Sequence, residues 1–138
     1  MLKSSLHYSA NTFASYWIEN KGKGEFAMHK LPNWAQFSSI NDIAEIKYND
    51  NNTALIVAGN LYGSEVETPR NDASIGLVLL SDNKGEIKVV PPEESSLMIK
   101  GEVKVIRKIK LASGNDALLF AIYNDSLKLL EFKLNRIK

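Results

Sequence analysis

The sequence predicts an all-β protein of four-stranded antiparallel units, and three observations carry that expectation. Runs rich in Val, Ile, Leu, Tyr and Phe recur along the whole chain, bounded by Gly, Asn and Asp turns. The pattern WIENKGKGEFAMHKLPNW at 17–34 returns as SDNKGEIKVVPPEES at 81–95, with Gly85-Glu86 standing in the place of Gly24-Glu25. Finally, the best helical spacing is Leu127, Leu130 and Leu134 in SLKLLEFKL, and its strand-rich surroundings favour β there too.

In chain order, ASYWIE (14–19) and EFAMHKL (25–31) flank the loop NKGKG. IAEIKY (43–48) alternates with period two and runs into NDNN, which is turn chemistry. ALIVAGN (54–60) is a continuous apolar run too short for a helix, which suits a strand buried on both faces. SIGLVLLSD (74–82) ends in the turn DNKG, and EIKVVP (86–91) follows it. EVKVIRKIKLA (102–112), the turn SGND, ALLFAIYN (117–124) and SLKLLEFKLN (126–135) complete nine strands.

The copies extend beyond the two Lys-Gly turns. ALIVAGN matches ALLFAIYN, and DIAEIKY at 42 matches EVKVIRKIK at 102. One copy holds four strands, which is the sequence form of a β-propeller blade. A sheet apolar on both faces must be covered by a neighbour on each side, so blades come in rings. In this register the single β domain 1–138 divides into a half blade (14–31), a full blade (42–91) and a three-strand blade (102–135). NWAQFSS (33–39) and EESSLMIK (93–100) are then the crossings between blades. The partial propeller has about two and a quarter blades, short of the ~4 to 8 of a closed ring. Uncovered apolar faces predict a homodimer with two-fold symmetry. The competing outcome is a monomeric sandwich in which the two crossings fold over the faces.

Bulk properties narrow the function classes. The chain of 138 residues is 44% apolar and 24% charged, the composition of an ordinary globular domain. Seventeen basic residues against sixteen acidic give a charge of +1, without the clustered cations that a nucleic-acid surface needs. The basic run KVIRKIK (104–110) alternates with Val and Ile and reads as a solvated strand face, the alternative being a polyanion-binding stripe. Cysteine is absent, so disulfides, thiolate nucleophiles and Cys-ligated zinc are excluded. No apolar run approaches the ~20 residues of a membrane helix, so membrane insertion is not expected. The start, MLKSSLHYSANTF, lacks the apolar core of a signal peptide.

ASYWIENKGKGEF, ALIVAGNLYGSEVETPRNDASIGLVLLSDNKGEIKVVPPEES and YNDSLKLLEF together resemble the C-terminal part of the FG-GAP/VCBS-repeat proteins of Bacteroidetes. Those are exported or surface-anchored proteins similar to cartilage acidic protein, often carrying an ASPIC/UnbV segment. The resemblance covers roughly residues 8–133 and is most specific in GNLYGSEVETPRNDAS. There Gly59, Asn60, Tyr62, Gly63, Glu65, Glu67, Arg70, Asp72, Ala73 and Ser74 match the family types. Pro69 and Asn71 depart from them, where Gly and an aromatic are usual. The resemblance implies a propeller and an extracellular or cell-surface location.

It also implies a calcium loop between the first two strands of a blade, where a hard cation needs several oxygens on one tight turn. The equivalent stretch here is KYNDNNTA (47–54), with oxygens at Asn49, Asp50, Asn51 and Asn52, one formal charge and no Gly. An Asn-rich hairpin turn is the better reading, so no metal or other cofactor is expected. Catalysis has no evident constellation either. His7 and His29 are far apart in sequence, with His29 at an exposed strand position, and neither G-x-S-x-G nor a phosphate loop occurs. Glu93 and Glu94 are neighbours that point apart on an extended chain. The chain therefore reads as a non-enzyme.

The long connection LYGSEVETPRNDAS is the ligand-binding candidate, because long loops on rigid sheets are where binding residues concentrate. Tyr62, Glu65, Glu67, Arg70 and Asp72 supply a stacking ring and both charge signs, suited to a sugar, a peptide or a protein surface. The bland alternative is that Arg70 pairs with Asp72 or the glutamates to hold the loop on its own sheet. Trp17 and Trp34 fit sheet packing better than sugar platforms. The expected function is a non-catalytic scaffold binding a protein or a glycan. A purely structural segment that completes a propeller is the alternative, with a polysaccharide-acting enzyme as a weaker one.

Overall fold

A computed structural model describes residues 6–131 of the chain. Every sheet in it is antiparallel. Strands β1 (Tyr16–Gly22) and β2 (Glu25–Lys30) form a two-stranded sheet. Strands β3 (Ile40–Lys47), β4 (Asn52–Gly59), β5 (Leu77–Asp82) and β6 (Ile87–Val90) form a four-stranded sheet in sequence order. Strands β7 (Val103–Lys110), β8 (Asp116–Ile122) and β9 (Lys128–Glu131) form a three-stranded one. The last predicted strand, to residue 135, reaches beyond the described residues after Glu131. The chain clusters into two compact units, one ending at Leu31 and one beginning at Pro32.

In the first unit, the β1–β2 hairpin turns through Lys23 and Gly24, whose φ angles of 55° and 83° lie in the left-handed region that glycine tolerates best. Cross-strand pairing sets Trp17 against His29 and Ile18 against Met28. Trp17, Glu19 and His29 thus share one face, while the other shows Ile18, Phe26 and Met28 to solvent.

The second unit contains two sheets whose inner faces meet in one core. Alternation in β3 turns Ala44 and Ile46 inward and leaves Ile43 and Glu45 outside. β4 is buried on both faces: Ala54, Ile56 and Ala58 enter the shared core, while Val57, on the opposite face, is equally covered. The three-stranded sheet contributes Val103, Ile106, Leu118, Phe120 and Ile122 to the same core. Phe120 has no exposed surface, and burying such a ring contributes about 1.5–3 kcal/mol.

The connection from β6 to β7 runs from the far edge of the four-stranded sheet to the edge of the next sheet that lies against β3. On the way it makes one helical turn, α1 (Pro92–Ser95), with Pro at its start and both Glu93 and Glu94 in that turn. The segment is therefore not the extended chain that the sequence predicts for the adjacent glutamates. Two consecutive prolines fix φ where a helix begins, and acidic residues suit its N-terminal end. Leu97 and Ile99 then insert into the core, and Ile99 N–H donates to Ile75 O at 2.8 Å. The other crossing, 33–39, begins with a 3-10 turn at Asn33–Gln36.

The repeat reappears as register. Ile40 pairs with Gly59 and Val103 with Ile122, so both strands of the hairpin recur at one common interval, and each hairpin has its irregularity directly after that pair. Trp17 pairs with His29 and Val78 with Val90, again with both strands displaced equally. The copies differ most at one connection: residues 60–76 join β4 to β5, whereas 123–127 suffice between β8 and β9. The first copy thus carries a much longer loop at that place.

Side chains lock the two sheets of the second unit at their adjacent edges. Asn41 Nδ2 donates to Asn60 O and to Val103 O, both at 2.9 Å. Asp42 accepts from Ile106 N–H at 2.7 Å and from Arg107 at 3.0 Å. Burial by itself would raise the Asp42 pKa. The N–H groups of Ile106 and Ile43 and the Arg107 guanidinium outweigh it and hold the carboxyl below the usual aspartate value.

Candidate functional site

The longer loop is anchored at its base by Asn60, which is 1% exposed and sits at φ 80°, a left-handed conformation that Asn accepts better than most residues. Its Nδ2 donates to Ser74 O at 2.8 Å and to Gly101 O at 2.9 Å, and its Oδ1 accepts from Ser74 N–H at 3.0 Å. Its own N–H donates to Ser39 O at 3.1 Å. Asn60 therefore ties the two ends of the loop together and to the approach to β7. Above it, Leu61 and Asn71 exchange two 2.8 Å backbone bonds, and Ser64 Oγ donates to Thr68 O at 2.9 Å. The loop is a small ordered hairpin standing on the sheet.

Of the five residues that the sequence nominates, three come together. The Arg70 guanidinium lies 5.0 Å over the Tyr62 ring and 3.7 Å from the Asp72 carboxylate. Glu65 and Glu67 are exposed near the loop tip, and Thr68 N–H closes a turn on Glu65 O at 2.9 Å. They do not line the cleft below, which Tyr62 and Arg70 share with Lys100, Tyr123, Asp125 and Lys128. This cleft encloses about 410 Å³, within the ~300–1,000 Å³ typical of small-ligand sites. Its far wall comes from the second copy of the repeat. Tyr123 follows Ile122 as Asn60 follows Gly59, so Tyr123-Asn124-Asp125 begins the short version of the same loop. That correspondence was the available signal for the missed wall. Behind it, Lys104 lies 5.4 Å over the Tyr123 ring and pairs with the buried Glu102.

Each cation of the basic run 104–110 faces an acid within the fold. Besides Lys104 with Glu102, Arg107 meets Asp42 at 3.0 Å, and Lys108 and Lys110 meet Asp116 at 3.2 and 3.9 Å. In the 47–54 stretch, Asn49 Oδ1 accepts from the N–H groups of Asn51 and Asn52 at 2.9 and 2.8 Å. That oxygen is turned into the hairpin, leaving Asp50 to face Lys47 at 3.4 Å. Millimolar Ca²⁺ is accordingly expected to leave the melting temperature unchanged, since stabilisation requires binding to the native state. A rise of several degrees in a thermal-denaturation scan would contradict it.

The His29 side chain remains 42% exposed, yet it has partners. It stacks on Trp17 with ring centroids 4.2 Å apart and 12° between planes, and its Nε2 lies 3.1 Å from Glu19 Oε2. The carboxyl of Glu19 is held below its ordinary value, chiefly by Lys21 and then by His29, against opposing desolvation. The indole face of Trp17 is thereby occupied. Trp34 is half exposed and tilts against Phe37 at 5.8 Å. No group of three or more His, Cys, Asp or Glu side chains gathers at metal-binding distance among the described residues.

No family model matches this chain, and neither a curated protein nor a solved structure matches it.

Proposed function

We propose that this chain is a non-catalytic repeat segment of β-propeller type, from a surface or exported protein, whose 60–76 loop presents a binding site for a glycan or protein. The observation that carries this is the loop itself. It is the connection whose length differs most between the two copies of the repeat, and it frames a cleft with Tyr62 and Arg70 on its wall. The repeated register and the connection from a far sheet edge to the next sheet's near edge support the blade reading, as does the FG-GAP/VCBS resemblance. That resemblance alone supports the location.

The direct test is a panel of neutral and acidic glycans and peptides probed with the native chain and with a Tyr62→Ala/Arg70→Ala variant. Binding by the native chain and its loss in the variant are expected, with unchanged circular dichroism. Equal binding by both would contradict the reading. A second reading, a purely structural segment, is favoured by the Arg70–Asp72 and Arg70–Tyr62 contacts, which hold the loop to itself. Release of reducing ends from a polysaccharide would instead make the chain an enzyme.

The same reading includes association of two copies. Leu129 is exposed and pairs with Leu119 on the outer side of the three-stranded sheet, and the first unit exposes Ile18, Phe26 and Met28. Sedimentation is expected to show a concentration-dependent dimer. A single species of 15.4 kDa at all concentrations would contradict it.

A further inference from the structure

The charge around the cleft points to one kind of ligand. We infer that it holds a carboxylated saccharide, a hexuronate unit with its carboxylate against Arg70, Lys100 and Lys128 and its hydroxyls against Asp125 and the tyrosines. This inference rests on the binding-scaffold reading above and narrows it.

Three cations and one carboxylate line the cleft. In the nearby run 104–110 each of the four cations faces an acid, Lys108 and Lys110 sharing Asp116. Lys100 and Lys128 have no carboxylate within ion-pair distance among the described residues, and both edge the same cleft. Arg70 has Asp72 only at 3.7 Å, a loose and exposed pair, and the Tyr62 ring beneath it holds the guanidinium in place. A guanidinium so placed offers the paired N–H groups that match a carboxylate.

The single acid selects among anions. Asp125 would repel a dense polyanion, such as a polyphosphate or a run of glutamates. It suits a molecule with one negative group among several hydroxyls, each able to donate to a carboxylate. A hexuronate has that ratio. Two tyrosine hydroxyls add partners for ring oxygens. An extended nucleic acid is disfavoured, because the neighbouring basic run is already paired within the protein.

Titration calorimetry of the native chain with tetragalacturonate, its full methyl ester and hexaglutamate tests the inference. Tetragalacturonate is expected to bind and to weaken as salt rises, since exposed charges are screened. Arg70→Gln and Lys128→Gln should each weaken it about tenfold, the loss of one charge-assisted contact. Lys84→Gln, on the β5–β6 turn, should leave it unchanged. If the methyl ester binds as tightly, the anionic site is overturned while the scaffold reading stands. Equal binding of hexaglutamate overturns the saccharide. Failure of all three ligands to bind overturns the inference, and the broader panel then decides the scaffold reading separately.

Discussion

Replacing Gly59 with alanine is expected to destabilise the protein by about 3 kcal/mol or more. A Cβ at this position would lie inside the Ser39 carbonyl group and within 2.9 Å of Asn41 N. These are backbone atoms, so no side chain can swing aside. Gly59 pairs with Ile40 where the β3–β4 register shifts, and Ser39 O is already committed to Asn60 N–H. Relief would require opening the β3 end, and with it the Asn41 and Asp42 bonds to β7. Chemical denaturation should show a lower midpoint, and a midpoint within error of the native chain would contradict the close approach. Gly114→Ala is a suitable contrast: its added carbon meets nothing within 4 Å, leaving only the strain of its φ of 87°.

Asn60→Asp should be nearly as damaging, and in a pH-dependent way. The substitution keeps the acceptor for Ser74 N–H but removes both donors, setting a carboxylate against the carbonyls of Ser74 and Gly101. Ser74 O, left without its partner, costs roughly 1–3 kcal/mol, while Gly101 O keeps the Val103 N–H at 3.1 Å. Facing oxygens and buried, the new carboxyl would have its folded-state pKa raised above the ordinary ~3.9 of aspartate. The folded variant then holds its proton at pH values where the unfolded chain has released it. Its deficit should therefore be smallest below that ordinary value and grow as pH rises. Asn60→Ala should show a comparable loss at neutral pH without this dependence. Asn60→Gly, which relieves the backbone strain but also loses the bonds, should remain well below the native chain. Denaturation midpoints across pH check all three. An Asp variant that loses stability equally at acid and neutral pH would contradict the hydrogen-bond assignment.

The strands were legible because their signals are local. Period-two alternation in IAEIKY, the continuous apolar run ALIVAGN and the turns around Gly24 and Gly85 each decide a few residues without reference to the rest. Helical turns in the crossings were less visible, since one turn is too short to show a period; the prolines Pro32 and Pro91-Pro92 were the local marks. The stacking of His29 on Trp17 was not visible because the two lie across a hairpin from each other. Within the site, Tyr62, Arg70 and Asp72 stand close together in sequence and were found together. Lys100, Tyr123, Asp125 and Lys128 lie much further along the chain, and only packing brings them to the same cleft. Asn60 ended an apolar run read as a strand, whereas its anchoring role follows from Ser39, Ser74 and Gly101 converging on it.

The central claim is that the two sheets of the second unit, packed over one core, are fixed at their adjacent edges where Asp42 receives the Ile106 N–H. The most direct measurement follows the Ile106 amide by NMR through an acid titration. Its shift is expected to report protonation of the Asp42 carboxyl, with a midpoint below the ordinary ~3.9 of aspartate. Because that folded-state pKa is depressed, the associated stability is present above the unfolded value and is lost as pH falls through the folded one. Asp42→Asn should abolish the titration and lower stability at neutral pH by about 1.5–3 kcal/mol, the worth of a bond to a charged group. An Ile106 amide that ignores both the titration and the substitution would contradict the account.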